Sequence, residues 1–189
     1  MTTINDDLLK RITLVKVKNN YEIYENAFMD GISTNPINYN KKIILTTPKL
    51  KIPFGVETYN YKKLINFELV NMEKDNDMHN FYKNIKQLEN HFANMDTIEL
   101  KNKQFVSCLK PRPGNSNNSN NFDPLLRIHL KTKSNKILTN FYKNDNNTRI
   151  ISDEIKEKLA VCTIEVGALW ISYYNFGLIF YLNDCICDN

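Results

Sequence analysis

The sequence predicts a mainly β protein, a barrel of strands closed against one long hairpin with a single helix packed on it. The first observation is a pair of apolar runs, Ala160–Ser172 and Phe176–Ile186, flanking the short polar break Tyr173-Tyr174-Asn175. Cys162, Ile164, Val166, Ala168 and Trp170 alternate along the first run, and Leu178, Phe180 and Leu182 along the second, the period of a strand. The odd positions hold Thr163, Glu165 and Asn183 but also Val161, Leu169, Ile171, Ile179 and Tyr181, so the hairpin is buried in places on both faces. A helical reading is poorer, because β-branched and aromatic residues dominate and Gly167 and Gly177 interrupt them. The second observation is that short alternating runs recur along the chain. The third is that only one stretch carries helical spacing.

Taken in order, Lys10–Lys18 alternates and pairs with Tyr21–Met29 around Asn19-Asn20 as a first hairpin. Gly31 to Asn40, with Pro36 and several Asn, Ser and Thr, is loop. Lys42–Thr47 is a third short strand, and Pro48 and Pro53 limit Lys49–Ile52 to an edge strand or an extended segment. Leu64–Met72 is a further strand. The helix is Met78 to Met95, where Met78, Phe81, Tyr82, Ile85, Leu88, Phe92 and Met95 form one apolar face and Asp75 or Asp77 caps the start. Gln104–Lys110 is a strand ending at Pro111 and Pro113. The run 114–121, GNSNNSNN, buries nothing apolar and reads as a flexible loop. In Leu125–Lys133, Leu126, Ile128 and Leu130 face one way and Arg127, His129, Lys131 and Lys133 the other; Lys136–Lys143 is its expected hairpin partner. Ser152 to Lys158 is a short helical or turn segment. No internal repeat or domain boundary interrupts the 189 residues, which fit one domain.

The net charge of +4 is mild, but positive charge is segregated. Between Lys41 and Lys63 six lysines stand against one acid, Glu57; between Lys101 and Arg149 ten Lys and Arg stand against Asp123 and Asp145. Such segregation is the footprint of a polyanion-binding face, or else of lysines that keep strands soluble. The opening MTTINDDLLKR lacks the basic-then-apolar order of a signal peptide, and no apolar run is long enough to span a bilayer, so an intracellular protein with no membrane partner is expected. Cys108, Cys162, Cys185 and Cys187 form no CxxC pair and are expected as buried reduced thiols; a metal or disulfide role for Cys185 and Cys187, which share a strand face, is the alternative.

The catalytic inventory is thin. Phosphate-loop, dinucleotide, zinc-protease and nucleophile-elbow signatures are missing, and His79, His91 and His129 have no acid partners at telling spacing, so neither an enzyme nor a cofactor is expected. What remains is basic side chains interleaved with rings. One cluster is Lys49, Lys51, Phe54, Tyr59, Tyr61, Lys62 and Lys63; a second is Arg127, His129, Lys131 and Lys133 followed by Phe141, Tyr142 and Lys143; Lys110 and Arg112 stand between them. Single-stranded nucleic acid asks for this pairing, since cations track phosphates while rings stack on unpaired bases.

The segment TTPKLKIPFGVETYN, Thr46–Asn60, resembles the Pro-rich, PFG-containing segment of the single-stranded-DNA-binding proteins of nucleocytoplasmic large DNA viruses. As in that family, a strand and a helix follow, then a basic hairpin, then a closing pair built on Leu169-Trp170 and Phe176-Gly177-Leu178. The resemblance spans Lys10 to Ile186. The family is distantly similar to phage OB-fold replication proteins that coat single strands. It implies an OB-fold-like barrel with extra strands. It also implies sequence-independent single-stranded-DNA binding in viral replication, recombination or repair, in the host cytoplasm, the nucleus or the virion. A homodimer and viral replication proteins are further partners it allows. The alternative is a virion or core structural protein on the same fold without DNA binding. The stretch Asp184-Cys185-Ile186-Cys187-Asp188-Asn189 holds two acids and no terminal aromatic, so recruitment through a phage-type acidic tail is not expected from it.

Overall fold

A computed structural model describes residues 4–17, 20–26, 40–72, 74–97, 99–112, 122–134, 136–144 and 148–188, the side chains of 26, 40, 112 and 122 excepted. The expected loops at 31–39 and 114–121 lie outside the described residues. In chain order the elements are α1 (Asp6–Lys10), β1 (Ile12–Val17), β2 (Asn20–Asn26), β3 (Asn40–Lys41), β4 (Ile43–Thr46), β5 (Leu50–Lys51), β6 (Val56–Tyr59) and β7 (Lys62–Glu68). There follow α2 (Asn76–Ala93), β8 (Gln104–Phe105), β9 (Leu109–Arg112), β10 (Phe122–Leu130), β11 (Thr132–Lys133), β12 (Lys136–Ile137), β13 (Asn140–Lys143), a 3-10 turn (Ser152–Glu154), β14 (Leu159–Ile171) and β15 (Asn175–Cys187).

The fold is mainly β. The pairings run β5 to β7, β10, β15, β14 and back to β5, a barrel-like arrangement with β10 and β15 parallel. The ring is not closed by continuous seams: β5 meets β7 through the single pair Lys51–Glu68, and β10 meets β15 through two. A partly open barrel of five strands is OB-fold-like. Outside the ring, the β1–β2 hairpin, β3 and β4 extend the sheet from β14, and β13 extends it from β15.

The β14–β15 hairpin organises the core, as the alternation predicts, with two departures. At Gly167 and at Asn183 the register shifts by one residue: Val166 pairs Phe180 but Ala168 pairs Ile179, and Thr163 pairs Asp184 but Ile164 pairs Leu182. A bulge inserts one residue and exchanges the two faces. Hence Cys162, Ile164 and Val166 are buried as expected, but beyond Gly167 the core residue is Leu169 and Trp170 turns partly outward. Likewise Leu182 is buried, and beyond Asn183 the buried positions become Cys185 and Cys187. All four cysteines are free and buried; Cys162 Sγ lies 3.5 Å and Cys187 Sγ 3.7 Å from Cys185 Sγ. Hydrogen bonding to Cys162, reinforced by burial, pushes the Cys185 thiol up, so it stays protonated and inert.

Gly177 has a steric reason. A Cβ there would meet the Val106 carbonyl oxygen at 2.5 Å and Trp170 Nε1 at 2.9 Å. The nearer obstacle is backbone and has little room to give. Gly177→Ala is therefore expected to lower stability by about 1–3 kcal/mol and to shift Trp170. Thermal melts and tryptophan emission check this; an unchanged melting temperature would disprove the clash.

Helix α2 forms where the spacing predicts, with Asp75 Oδ1 accepting from Asp77 N at 2.9 Å and Met78 N at 3.1 Å. Its buried face is Met78, Phe81, Ile85, Leu88 and Phe92, joined by Asn84 and Glu89. Among the described residues no helix is long and apolar enough to cross a membrane.

Three local expectations are corrected. The segment Lys49–Ile52 is no edge: β5 pairs β14 on one side and β7 on the other, because Pro48 and Pro53 fall just outside the two paired residues. Gln104–Lys110 is split into β8 and β9, and Pro111 lies within β9. Lys136–Lys143 pairs with the preceding strand only at β12; Asn140–Lys143 instead lies parallel to β15, fixed by Thr139 Oγ1 donating to the Leu182 carbonyl at 2.8 Å. Two elements were not predicted: α1, capped by Asn5, and β6, which forms a hairpin with β7 through Asn60 and Tyr61.

Candidate nucleic-acid interface

Strands β7 and β10 pair antiparallel, Asn66 opposite Arg127 and Leu64 opposite His129. Their alternation sends Ile65, Phe67, Leu126 and Ile128 into the core and turns Asn66, Arg127 and His129 to the other face. The β6–β7 hairpin rises beside that face. Its turn residues Asn60 and Tyr61 have φ of 46° and 62°, a left-handed pair that costs little at Asn but is unusual for a tyrosine. The Tyr61 ring is fully exposed at the tip and Tyr59 is 59% exposed.

Two adjoining cavities, about 210 and 330 Å³, share Lys62, His129 and Ile179 and together make one groove. Lys62, Lys63, Lys110, Arg127 and Lys131 line it, and so do four rings, Tyr59, Tyr61, Trp170 and Tyr181. No described carboxylate lines either cavity. Arg127 is held in place: its Nε donates to Asn66 Oδ1 at 3.3 Å, Asn66 in turn donates to Glu57, and the guanidinium lies 5.6 Å from the Tyr59 ring centre. The far wall is the link 106–108 between β8 and β9. Glu89 of α2 fixes it by accepting from Ser107 Oγ at 2.7 Å and Cys108 N at 2.7 Å.

Burial, with Lys62 and Arg127 nearby, pushes His129 down to about 4, so its imidazole is neutral at physiological pH. The sign of the linked stability follows. Between pH 6.5 and 4 the unfolded chain binds the proton and the folded one does not, so this contribution is complete above 6.5 and is lost as pH falls through that window. His129→Gln is expected to remove about 2–3 kcal/mol of the stability difference between pH 7 and pH 4, at 1.36 kcal/mol per pH unit. Denaturant melts at both values test it; equal acid sensitivity in the two proteins would disprove it.

The structure brings Tyr59, Tyr61, Lys62, Lys110, Arg127, His129 and Lys131 to this groove. Lys131 is partly neutralised there, since its Nζ donates to the buried Glu165 at 2.5 Å and to Asn183 at 2.9 Å. The other candidates lie elsewhere. Lys133 is exposed in the small β11–β12 pair and lines neither cavity. Lys49 is ion-paired to Asp188 at 2.9 Å and Lys51 to Glu157 at 3.2 Å, at the Leu159 end of the hairpin. Phe141 is a core ring, 3% exposed, and Tyr142 and Lys143 pair opposite Ile186 and Cys187 at that same end. The side chain of Arg112 lies outside the described ones.

Trp170, expected to be largely buried or partly groove-facing, lines the groove; Tyr181 was not among the residues expected in the site. Nor was the hairpin tip, where Tyr173 and Tyr174 are 81% and 71% exposed with ring centres 4.5 Å apart. Lys103 Nζ donates to the carbonyls of Ser172 at 2.6 Å and Tyr173 at 2.8 Å, and the Gln104 amide bonds Tyr174 O at 2.9 Å, so the tip is tied to the cavity wall. The signal in the sequence was two tyrosines in a turn, where small polar residues are the norm. No protein-family model matches the chain, and no curated protein matches it.

Proposed function

We propose that this protein binds single-stranded DNA without sequence preference. The observation that carries the reading is the groove itself: five cations and four rings line it, and no described carboxylate does. Lysine and arginine side chains would track the phosphates, and rings at the β6–β7 tip would stack on bases that pairing has released. No bond is made or broken; capture is electrostatic, and stacking adds roughly 1–3 kcal/mol per base. The resemblance of Thr46–Asn60 and of the Trp170 hairpin to single-stranded-DNA-binding proteins of large DNA viruses supports the same reading. The role proposed is therefore in replication, recombination or repair of a viral genome, beside viral replication proteins.

The test is a titration of labelled oligo-dT and of a duplex of equal length over a salt series. The single strand is expected to bind more tightly, with log K falling against log salt by about 0.7 per phosphate contact. Equal affinity for duplex, or a flat salt response, would reject the proposal.

A further inference from the structure

We infer that the smaller cavity, beneath the β6–β7 tip, holds one nucleobase of the bound strand edge-in, while its backbone runs along the cations outside. This deepens the single-strand reading and rests on it. Three of the groove's five cations, Lys62, Lys110 and Arg127, line the 210 Å³ cavity as a phosphate would need, but the rest of its lining has a different chemistry. Leu64, Cys108, Leu178 and Ile179 are buried and supply apolar walls. Trp170 supplies an indole from β14, and His129 an imidazole from β10. Among the described residues neither the indole N–H nor either imidazole nitrogen makes a hydrogen bond, and none of these atoms is sealed from solvent without a partner, so they are open to a ligand. A neutral imidazole offers one donor and one acceptor, and the indole a second donor. A flat, neutral heterocycle with donors and acceptors on its edge matches that set, and a phosphate does not.

The lining also excludes alternatives for this space. Ser107 Oγ is already committed, donating to Glu89 at 2.7 Å and accepting from Leu109 N at 3.0 Å, so it is no free anion donor. Arg127 is tied to Asn66 and faces the Tyr59 ring, and Lys62 is exposed, so the cations stand where a backbone passes. Gly177 is what lets the indole lie against the Val106 wall. A base pair is far too wide for the cavity, which would make single-strand preference a matter of space as well as stacking.

Trp170 is the only tryptophan of the chain, so its emission reports this cavity alone. The experiment compares oligo-dT of about 16 nucleotides, the upper end of OB-fold site sizes, with a fully abasic deoxyribose-phosphate oligomer of the same length. The expected result is that oligo-dT binds and quenches Trp170, whereas the abasic oligomer binds through its phosphates and leaves the emission unchanged. By anisotropy, Trp170→Phe and His129→Leu should each weaken oligo-dT about tenfold and leave the abasic oligomer unaffected. Thermal melts check that both variants fold, and the abasic affinity serves as an internal control. If oligo-dT binds with salt-dependent affinity but quenches no more than the abasic oligomer, the cavity holds no base and the inference falls while the groove reading stands. If neither oligomer binds, both fall.

Discussion

Alanine at Lys62, Lys110 and Arg127 together is expected to weaken oligo-dT binding by roughly 10²–10³-fold at low salt, since hydrogen bonds to charged groups contribute about 1.5–3 kcal/mol each before non-additivity. The salt slope should become shallower by about 2, three contacts at 0.7 each. Folding should survive. Lys62 is exposed, and an exposed charge contributes about 0–1 kcal/mol; only Arg127 gives up a hydrogen bond, to Asn66. Lys49→Ala and Lys133→Ala are the controls, because these side chains lie outside the groove; both should bind as wild type. Tyr61→Ala gives the complementary signature: affinity falls by about 1–3 kcal/mol with the salt slope unchanged, and the melting temperature holds because the ring is fully exposed. Wild-type affinity in the triple variant would remove the groove from consideration.

Glu89→Ala is expected to be among the most destabilising single substitutions, by about 3–5 kcal/mol. This carboxylate is 2% exposed and accepts from Ser107 Oγ, Cys108 N and, at 3.1 Å, Cys108 Sγ, with Lys86 Nζ at 3.3 Å on its open side. Its removal leaves a buried amide and hydroxyl unpaired and a void in the helix–sheet interface. For a chain of this size that is a fall of roughly 6–20 °C in melting temperature. Glu89→Gln should lie between, because one end of the amide donates where acceptors are required. A melt within a degree or two of wild type would show that Glu89 is dispensable.

Much of the scaffold was legible because its signals are local. The hairpin announces itself by β-branched runs on either side of a turn, α2 by its spacing and its Asp75 cap, and the inner row of β10 by Leu126, Ile128 and Leu130. The groove was legible only in part, since convergence of side chains depends on pairings that leave no local mark. Tyr59, Lys62 and Arg127 meet because β6, β7 and β10 are neighbours, whereas Lys133 departs because β10 ends at Leu130. Phe141 was read as a stacking ring and is core, because its strand pairs parallel to β15, and a parallel partner has no turn to reveal it. Trp170 could be read only as largely buried or partly groove-facing, because the bulge at Gly167 changes which face it occupies and nothing in the alternation marks a bulge.

The central hairpin has a consequence for how the protein comes to exist. β2, β4 and β5 find their partner in β14, and β8, β10 and β13 find one in β15, so most of the sheet waits for strands made late. The Thr47 hydroxyl accepts from the Cys162 amide, 115 positions further on. At about 5–20 residues per second, synthesis of that interval takes roughly 6–23 s. Through those seconds the β1–β2 and β6–β7 hairpins have their partners, while the apolar strand Ile43–Thr46 has none and stands open to the same segment of a neighbouring nascent chain. Soluble yield is therefore expected to depend on translation speed, growth temperature and chaperone supply as well as on native stability.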